Sequence, residues 1–74
     1  MDRYKVIIVD DDDVALENLS FELGKDARFS LEKVAKNGKQ GKKVILKTRP
    51  DLLFLDVEMP DITGMELLQE IRDD

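Results

Sequence analysis

The run Val6-Ile7-Ile8-Val9-Asp10-Asp11-Asp12-Asp13, VIIVDDDD, decides how this chain folds. Four apolar residues in succession lack the alternation of a half-exposed strand and the length of a helix. They read as part of a strand, Tyr4 to Val9, that is buried on both faces. Such a strand needs sheet neighbours on each side and helices above and below it. The four carboxylates that follow pose a different problem. Two unit charges ~4 Å apart repel by ~1 kcal/mol in water and by ~4 kcal/mol at an effective dielectric of ~20. That is large beside the stability of a small domain, so a cation is expected among them.

Outward from this run, Asp12 or Asp13 can cap a helix from about Val14 to Gly24, with Leu16, Leu19 and Leu23 on one face. Phe29 to Lys36 mixes apolar and polar residues and suits an edge strand. Asn37 and Gln40 have capping-box spacing for a second helix, which ends near Thr48 because Pro50 disfavours helical geometry at Arg49. Leu52 to Leu55, LLFL, is a third strand, again without alternation. Thr63-Gly64-Met65-Glu66 is a capping box opening a third helix, whose inner stripe is either Met65, Leu68 and Ile71 or Leu67 and Ile71. Strand and helix thus alternate with short connections, as expected for an α/β parallel sheet with helices on both faces. Placing the Lys-bearing second strand at an edge gives the order 2-1-3. The third strand then lacks an outer neighbour, and Arg72-Asp73-Asp74 carries no helix stop signal. The expectation is therefore one domain over 1–74 that is part of a longer one.

Composition narrows the chemistry. The chain has 74 residues, 42% hydrophobic and 39% charged, and no run long enough for a membrane span, which leads us to expect a cytoplasmic protein. With no Cys and no His, disulfides, thiolate or imidazole metal ligands and Ser-His or Cys-His catalysis are all excluded. The net charge of -5 conceals a segregated pattern: the middle third, residues 25–49, is cationic, and both flanking segments are anionic.

In parallel α/β sheets, ligands gather at the carboxyl ends of the strands. Asp10 and Asp11 end the first strand and Asp56 ends the third, so all three should meet at one edge. Oxygen-only ligation favours Mg²⁺ or Mn²⁺. A calcium loop counted from Asp10 is disfavoured, since Ala15 stands where the turn Gly belongs and Phe21 where the bidentate Glu belongs. Asp12 and Asp13 read more simply as helix-capping acids. Asp56 lies in a loop with Glu58, Pro60 and Asp61, which contains no basic residue to serve as a countercharge.

VIIVDDDD, Asn37-Gly38 and RPDLLFLDVEMPDITGMELLQEIR from Arg49 to Arg72 together closely resemble the receiver domain of bacterial two-component response regulators. The resemblance implies a flavodoxin-like fold of strand order 2-1-3-4-5, of which this chain holds the first three β-α units. It implies that Asp56 accepts a phosphoryl group from a sensor histidine kinase or a phosphotransfer protein. It further implies Mg²⁺ held by Asp11, Asp10, Asp56 and the backbone carbonyl of Glu58. Pro60 and Gly64 match the family's turn, while Thr63 stands where Asp is frequent. The family's hydroxyl residue ending the fourth strand and Lys ending the fifth have no counterpart in 1–74. It implies a phosphoacceptor that catalyses its own phosphorylation and dephosphorylation and is not a turnover enzyme. The style of this one suits a DNA-binding output domain past Asp74 and control of transcription. The open flank of the third strand leads us to expect a homodimer or a swapped assembly.

Two alternatives compete. Asp56-Val57-Glu58 resembles the nucleophile and second acid of haloacid-dehalogenase-type phosphohydrolases, but Pro60 occupies the place of their usual hydroxyl. Gly38-Lys39-Gln40-Gly41 has the Gly-x-x-Gly spacing of a nucleic-acid-clamping loop, although Lys39, Lys42, Lys43 and Lys47 read better as the solvated face of the second helix.

Overall fold

The computed structural model describes residues 3–73. It contains β1 (Tyr4–Val9), α1 (Asp13–Gly24), β2 (Phe29–Ala35), α2 (Gly38–Thr48), β3 (Leu52–Leu55) and α3 (Gly64–Asp73). The three strands form one parallel sheet in the order β2-β1-β3. β1 is central because its residues can tolerate burial on two faces. Val6, Ile7 and Val9 are fully buried and Ile8 nearly so, and each such side chain contributes about 1.5–3 kcal/mol on leaving water.

Successive residues of β1 serve opposite layers, as the pleat requires. Ile7 and Val9 pack with Ala35, Ile45 of α2 and Leu67 of α3, whereas Val6 and Ile8 pack with Leu16 and Leu23 of α1. The layering follows from right-handed crossovers: β1-α1-β2 runs to one side of β1, and β2-α2-β3 passes back over it to the other.

Local signals set the ends of the helices. Asp12 caps α1 by accepting the Val14 N–H, and Asn37 caps α2 by accepting the Gln40 N–H at 2.8 Å. The α2 capping box is modified, since the Gln40 side chain reaches the Lys36 amide and not that of the cap residue. At α3 the box is reciprocal: Thr63 Oγ1 accepts the Glu66 N–H, and Glu66 Oε1 accepts the Thr63 N–H.

One boundary departs from the sequence reading, and two details refine it. β2 stops at Ala35, and Lys36 instead forms an ion pair with Asp13. Arg49 adopts a left-handed conformation (φ 55°, ψ 65°) and closes α2 by donating its N–H to the Ile45 carbonyl. The inner stripe of α3 is Leu67 with Ile71, while Met65 is 72% exposed and Leu68 lies at the surface. Leu67 turns into the core with Ile7 and Val9 where α2 presents Gly41, whose missing side chain leaves room for both Val9 and Leu67.

Candidate metal and phosphoacceptor site

The carboxyl ends of β1 and β3 lie side by side because the backbone ladder continues one step past both strands. The Asp10 N–H donates to the Ala35 carbonyl and the Asp56 N–H to the Val9 carbonyl, each at 2.9 Å. Asp10 and Asp56 are thereby fixed on adjacent strand tips. Asp11 is the first residue free of the ladder and turns back toward them.

Asp10, Asp11 and Asp56 each offer a carboxylate oxygen, and these oxygens all lie within 4.8 Å of one another. They line an open cleft of about 560 Å³ together with Asp12, Glu58, Met59 and Pro60. One oxygen of Asp10 also accepts the Asp12 N–H at 3.0 Å, which holds the side chain against its own loop. The Asp11 carboxyl is raised above the ordinary carboxylate range. Desolvation in the cleft contributes most, a shared hydrogen bond with Asp56 comes next, and the charges of Asp56 and Asp10 add to it. These acids therefore strain against one another when all are ionised.

The donor set fits a hard divalent cation. Oxygens on opposite sides of a Mg²⁺ ion stand ~4.2 Å apart, so a trio within 4.8 Å is a small side-chain rotation from ligating geometry. Glu58 contributes to the cleft wall, and its backbone pairs with Thr63 across the β3-α3 turn as an isolated antiparallel bridge.

The other acids of the sequence do different work. Asp12 is the α1 cap and Asp13 pairs with Lys36. Asp61 has a counterpart that composition could not reveal: it lies against the amino end of α2, accepting the Gly38 N–H at 2.8 Å and the Lys39 N–H at 3.0 Å. These amides hold its carboxyl below the usual range, the Gly38 amide most of all. No sequence motif announces this contact, because its partners are more than twenty residues apart in the chain.

Glycines complete the site. Gly64 donates its N–H to the Val57 carbonyl at 2.7 Å, and a Cβ on Gly64 would collide with the Asp56 carbonyl oxygen. Gly38 and Gly41 are buried within α2, facing Ile62 and Val9 respectively. They are therefore packing residues of a helix and form no exposed loop able to clamp a nucleic acid.

Comparison with known proteins agrees with this fold. The family model of the response regulator receiver domain matches residues 6–74. The transcriptional regulatory protein BtsR of Escherichia coli (strain K12) is 41% identical over 64 residues, which is 86% of this chain and 27% of that protein. A protein-glutamate methylesterase/protein-glutamine glutaminase of Geobacillus kaustophilus is 38% identical over 74 residues, all of this chain and 21% of that one. Among solved structures, the response regulator domain of Thermotoga maritima CheB superposes with a TM-score of 0.92 at 25% identity, covering 97% of this chain and 54% of that one. The signal receiver domain of the putative response regulator NarL from Mycobacterium tuberculosis shares the fold, with a TM-score of 0.94 at 22% identity over 99% of this chain and 59% of that one. The chain thus spans about a quarter of the curated relatives it matches and little more than half of the solved receiver domains.

Proposed function

The chain belongs to the response regulator receiver domain family, and from that premise we propose that it is the first three β-α units of a phosphoacceptor whose nucleophile is Asp56. The convergence of Asp10, Asp11 and Asp56 at adjacent strand tips carries this reading. An Asp56 oxygen attacks the phosphorus of a phosphohistidine on a sensor kinase or phosphotransfer protein. The P–N bond breaks, the imidazole leaves with its electron pair, and an aspartyl phosphate results.

Asp11, Asp10, Asp56 and the Glu58 backbone carbonyl are the protein ligands we assign to Mg²⁺. When bound, the ion would supply positive charge against the oxygens of the transferring phosphoryl group. Asp11 and Asp10 keep one face of Asp56 turned toward that centre, and the open cleft leaves the other face to the phosphodonor. The Glu58 side chain is exposed beside it, where it can meet the phosphoryl group or attacking water. Loss of Asp10 and Asp11 from the scheme is what disfavours the phosphohydrolase alternative, which gives them no part.

For the whole protein we propose cytoplasmic signalling with control of transcription through a DNA-binding output domain, supported by the similarity to BtsR. The methylesterase relatives favour a second reading in which the output is enzymatic. No helix among the described residues is long and apolar enough to cross a membrane. In the 74-residue chain by itself β3 is an edge strand with no charged residue, and we propose that a second copy pairs with it.

The test is phosphorylation of a longer chain, one that restores the hydroxyl and Lys of the complete domain, with radiolabelled acetyl phosphate and Mg²⁺. Asp56→Asn should abolish an acid-stable, base-labile label. A longer chain with intact Asp56 that takes no label would overturn the assignment.

A further inference from the structure

We propose that Asp61 is a positioning residue that latches the β3-α3 loop to the amino end of α2 and so holds the Glu58 side of the acidic site in place. The inference rests on the Mg²⁺ site described above and concerns a residue outside its ligand set.

The first amides of a helix have no partner within it and attract carboxylates. α2 begins at Gly38, and its cap residue Asn37 accepts the Gln40 N–H with its side chain and the Gly41 N–H with its carbonyl. The two amides left over, those of Gly38 and Lys39, are taken by the two oxygens of Asp61. One side chain from a distant loop therefore completes the cap of α2.

That arrangement bears on the site through the shape of the loop. Residues 57–64 are closed on themselves by the Gly64 N–H on the Val57 carbonyl and by the Glu58–Thr63 bridge. Within that closed turn, Glu58, Met59 and Pro60 line the acidic cleft, and Met59 also packs against the core. Asp61 and Ile62 face the other way, Asp61 onto the α2 amides and Ile62 against Gly38, where a Cβ would have no room. The turn is thus a small lever with one arm in the cleft and the other fastened to α2. Unfastening that arm frees the arm that carries Glu58. The latch is separate from the acids it supports, since its own countercharge is the helix terminus.

The experiment is a Mg²⁺ titration of the chain by calorimetry, comparing wild type with Asp61→Ala, Asp61→Asn and Asp51→Ala. Asp51 is the control: its carboxylate accepts the Lys5 N–H at 2.8 Å where β1 begins, at the opposite end of the strands from the acids. Removing Asp61 costs side-chain clasps on two backbone amides and removing Asp51 costs a clasp on one, so destabilisation by itself should weaken Mg²⁺ binding in both variants. Asp61→Ala is expected to weaken Mg²⁺ binding roughly tenfold, the low end for residues that orient metal ligands. Asp61→Asn keeps one acceptor oxygen for the Gly38 amide and should recover part of the loss, while Asp51→Ala should bind as wild type does. Unchanged affinity in Asp61→Ala, or an equal loss in Asp51→Ala, would overturn the latch. A wild-type chain that binds no Mg²⁺ would remove the site reading first, and this inference with it.

Discussion

The carbonyl oxygen of Asp56 occupies the space where a side chain on Gly64 would begin. The first turn of α3 therefore sits directly on the backbone of the proposed phosphoacceptor, and the smallest residue is what permits it. Gly64→Ala should accordingly destabilise the chain by about 1–3 kcal/mol, as overpacking does, although Ala in an open helical position would stabilise by ~1 kcal/mol. Urea unfolding decides between the two signs, and a rise in midpoint would refute the close contact.

Asp11→Asn should stabilise the metal-free chain at neutral pH and remove its response to Mg²⁺. The sign follows from the raised Asp11 carboxyl. A carboxyl raised by folding favours the fold while protonated, and that contribution is lost as pH rises through its folded value, so the ionised group opposes folding at neutral pH. In wild type, Mg²⁺ at roughly ten times its Kd should add ~1.4 kcal/mol. Thermal melts with and without MgCl₂ measure both effects, and an Asn variant still raised by Mg²⁺ would contradict the ligand assignment.

Arg28→Gln should weaken the fold at neutral pH but not at strongly acid pH. Arg28 binds Asp26 through both carboxylate oxygens and pulls its carboxyl from 3.8 to about 2, its side-chain hydrogen bond contributing most. A depressed carboxyl contributes stability above its unfolded value that is lost as pH falls through the folded one. The gap between variant and wild type in denaturant midpoint should therefore be full above roughly pH 4 and close toward pH 2. Asp61 and Glu66, both lowered by backbone amides, act in the same direction in both proteins. A gap constant down to pH 2 would show that the pair contributes by some route other than charge.

Arg49→Gly should stabilise the chain by about 0.5–1 kcal/mol. Arg49 holds φ at 55°, a conformation that costs a residue with a Cβ ~1–2 kcal/mol and glycine little. Part of that gain is offset by the greater freedom of glycine in the unfolded chain. Urea denaturation reads the difference, and a lower midpoint for the glycine variant would refute it.

The 74-residue chain should be dimeric or larger at structural concentrations if a second copy covers β3. Leu52→Lys, which places a charge on an already exposed edge position, should shift it toward monomer. Light scattering gives the mass, and a monodisperse wild-type monomer would rule out the pairing.

Much of this architecture is legible in one dimension. VIIV and LLFL lack alternation, so both read as strands covered on their two faces; VIIV is the central strand, and LLFL lies beside it at the edge of the sheet among the described residues. The Asn37 and Thr63 caps and the stop before Pro50 mark helix ends from neighbouring residues alone. The strand ends then follow, and with them the level at which Asp10, Asp11 and Asp56 lie, because the ladder runs one step past Val9 and Leu55. Periodicity could not choose between the two stripes of α3, since Met65 with Leu68 and Leu67 with Ile71 are equally apolar at helical spacing.

Sequence by itself determined the order of strands and helices and the residues able to hold charge, since apolar runs and caps act through neighbours a few positions away. Tertiary structure alone decided that Leu67 turns inward, that Gly38, Gly41 and Gly64 are needed for lack of room, and that Asp61 serves a helix terminus and not the acidic cluster. Those outcomes depend on which surfaces meet after the chain crosses over its sheet. Steric exclusion and hydrogen bonding at ~3 Å are set by that meeting and leave no periodic trace in the chain.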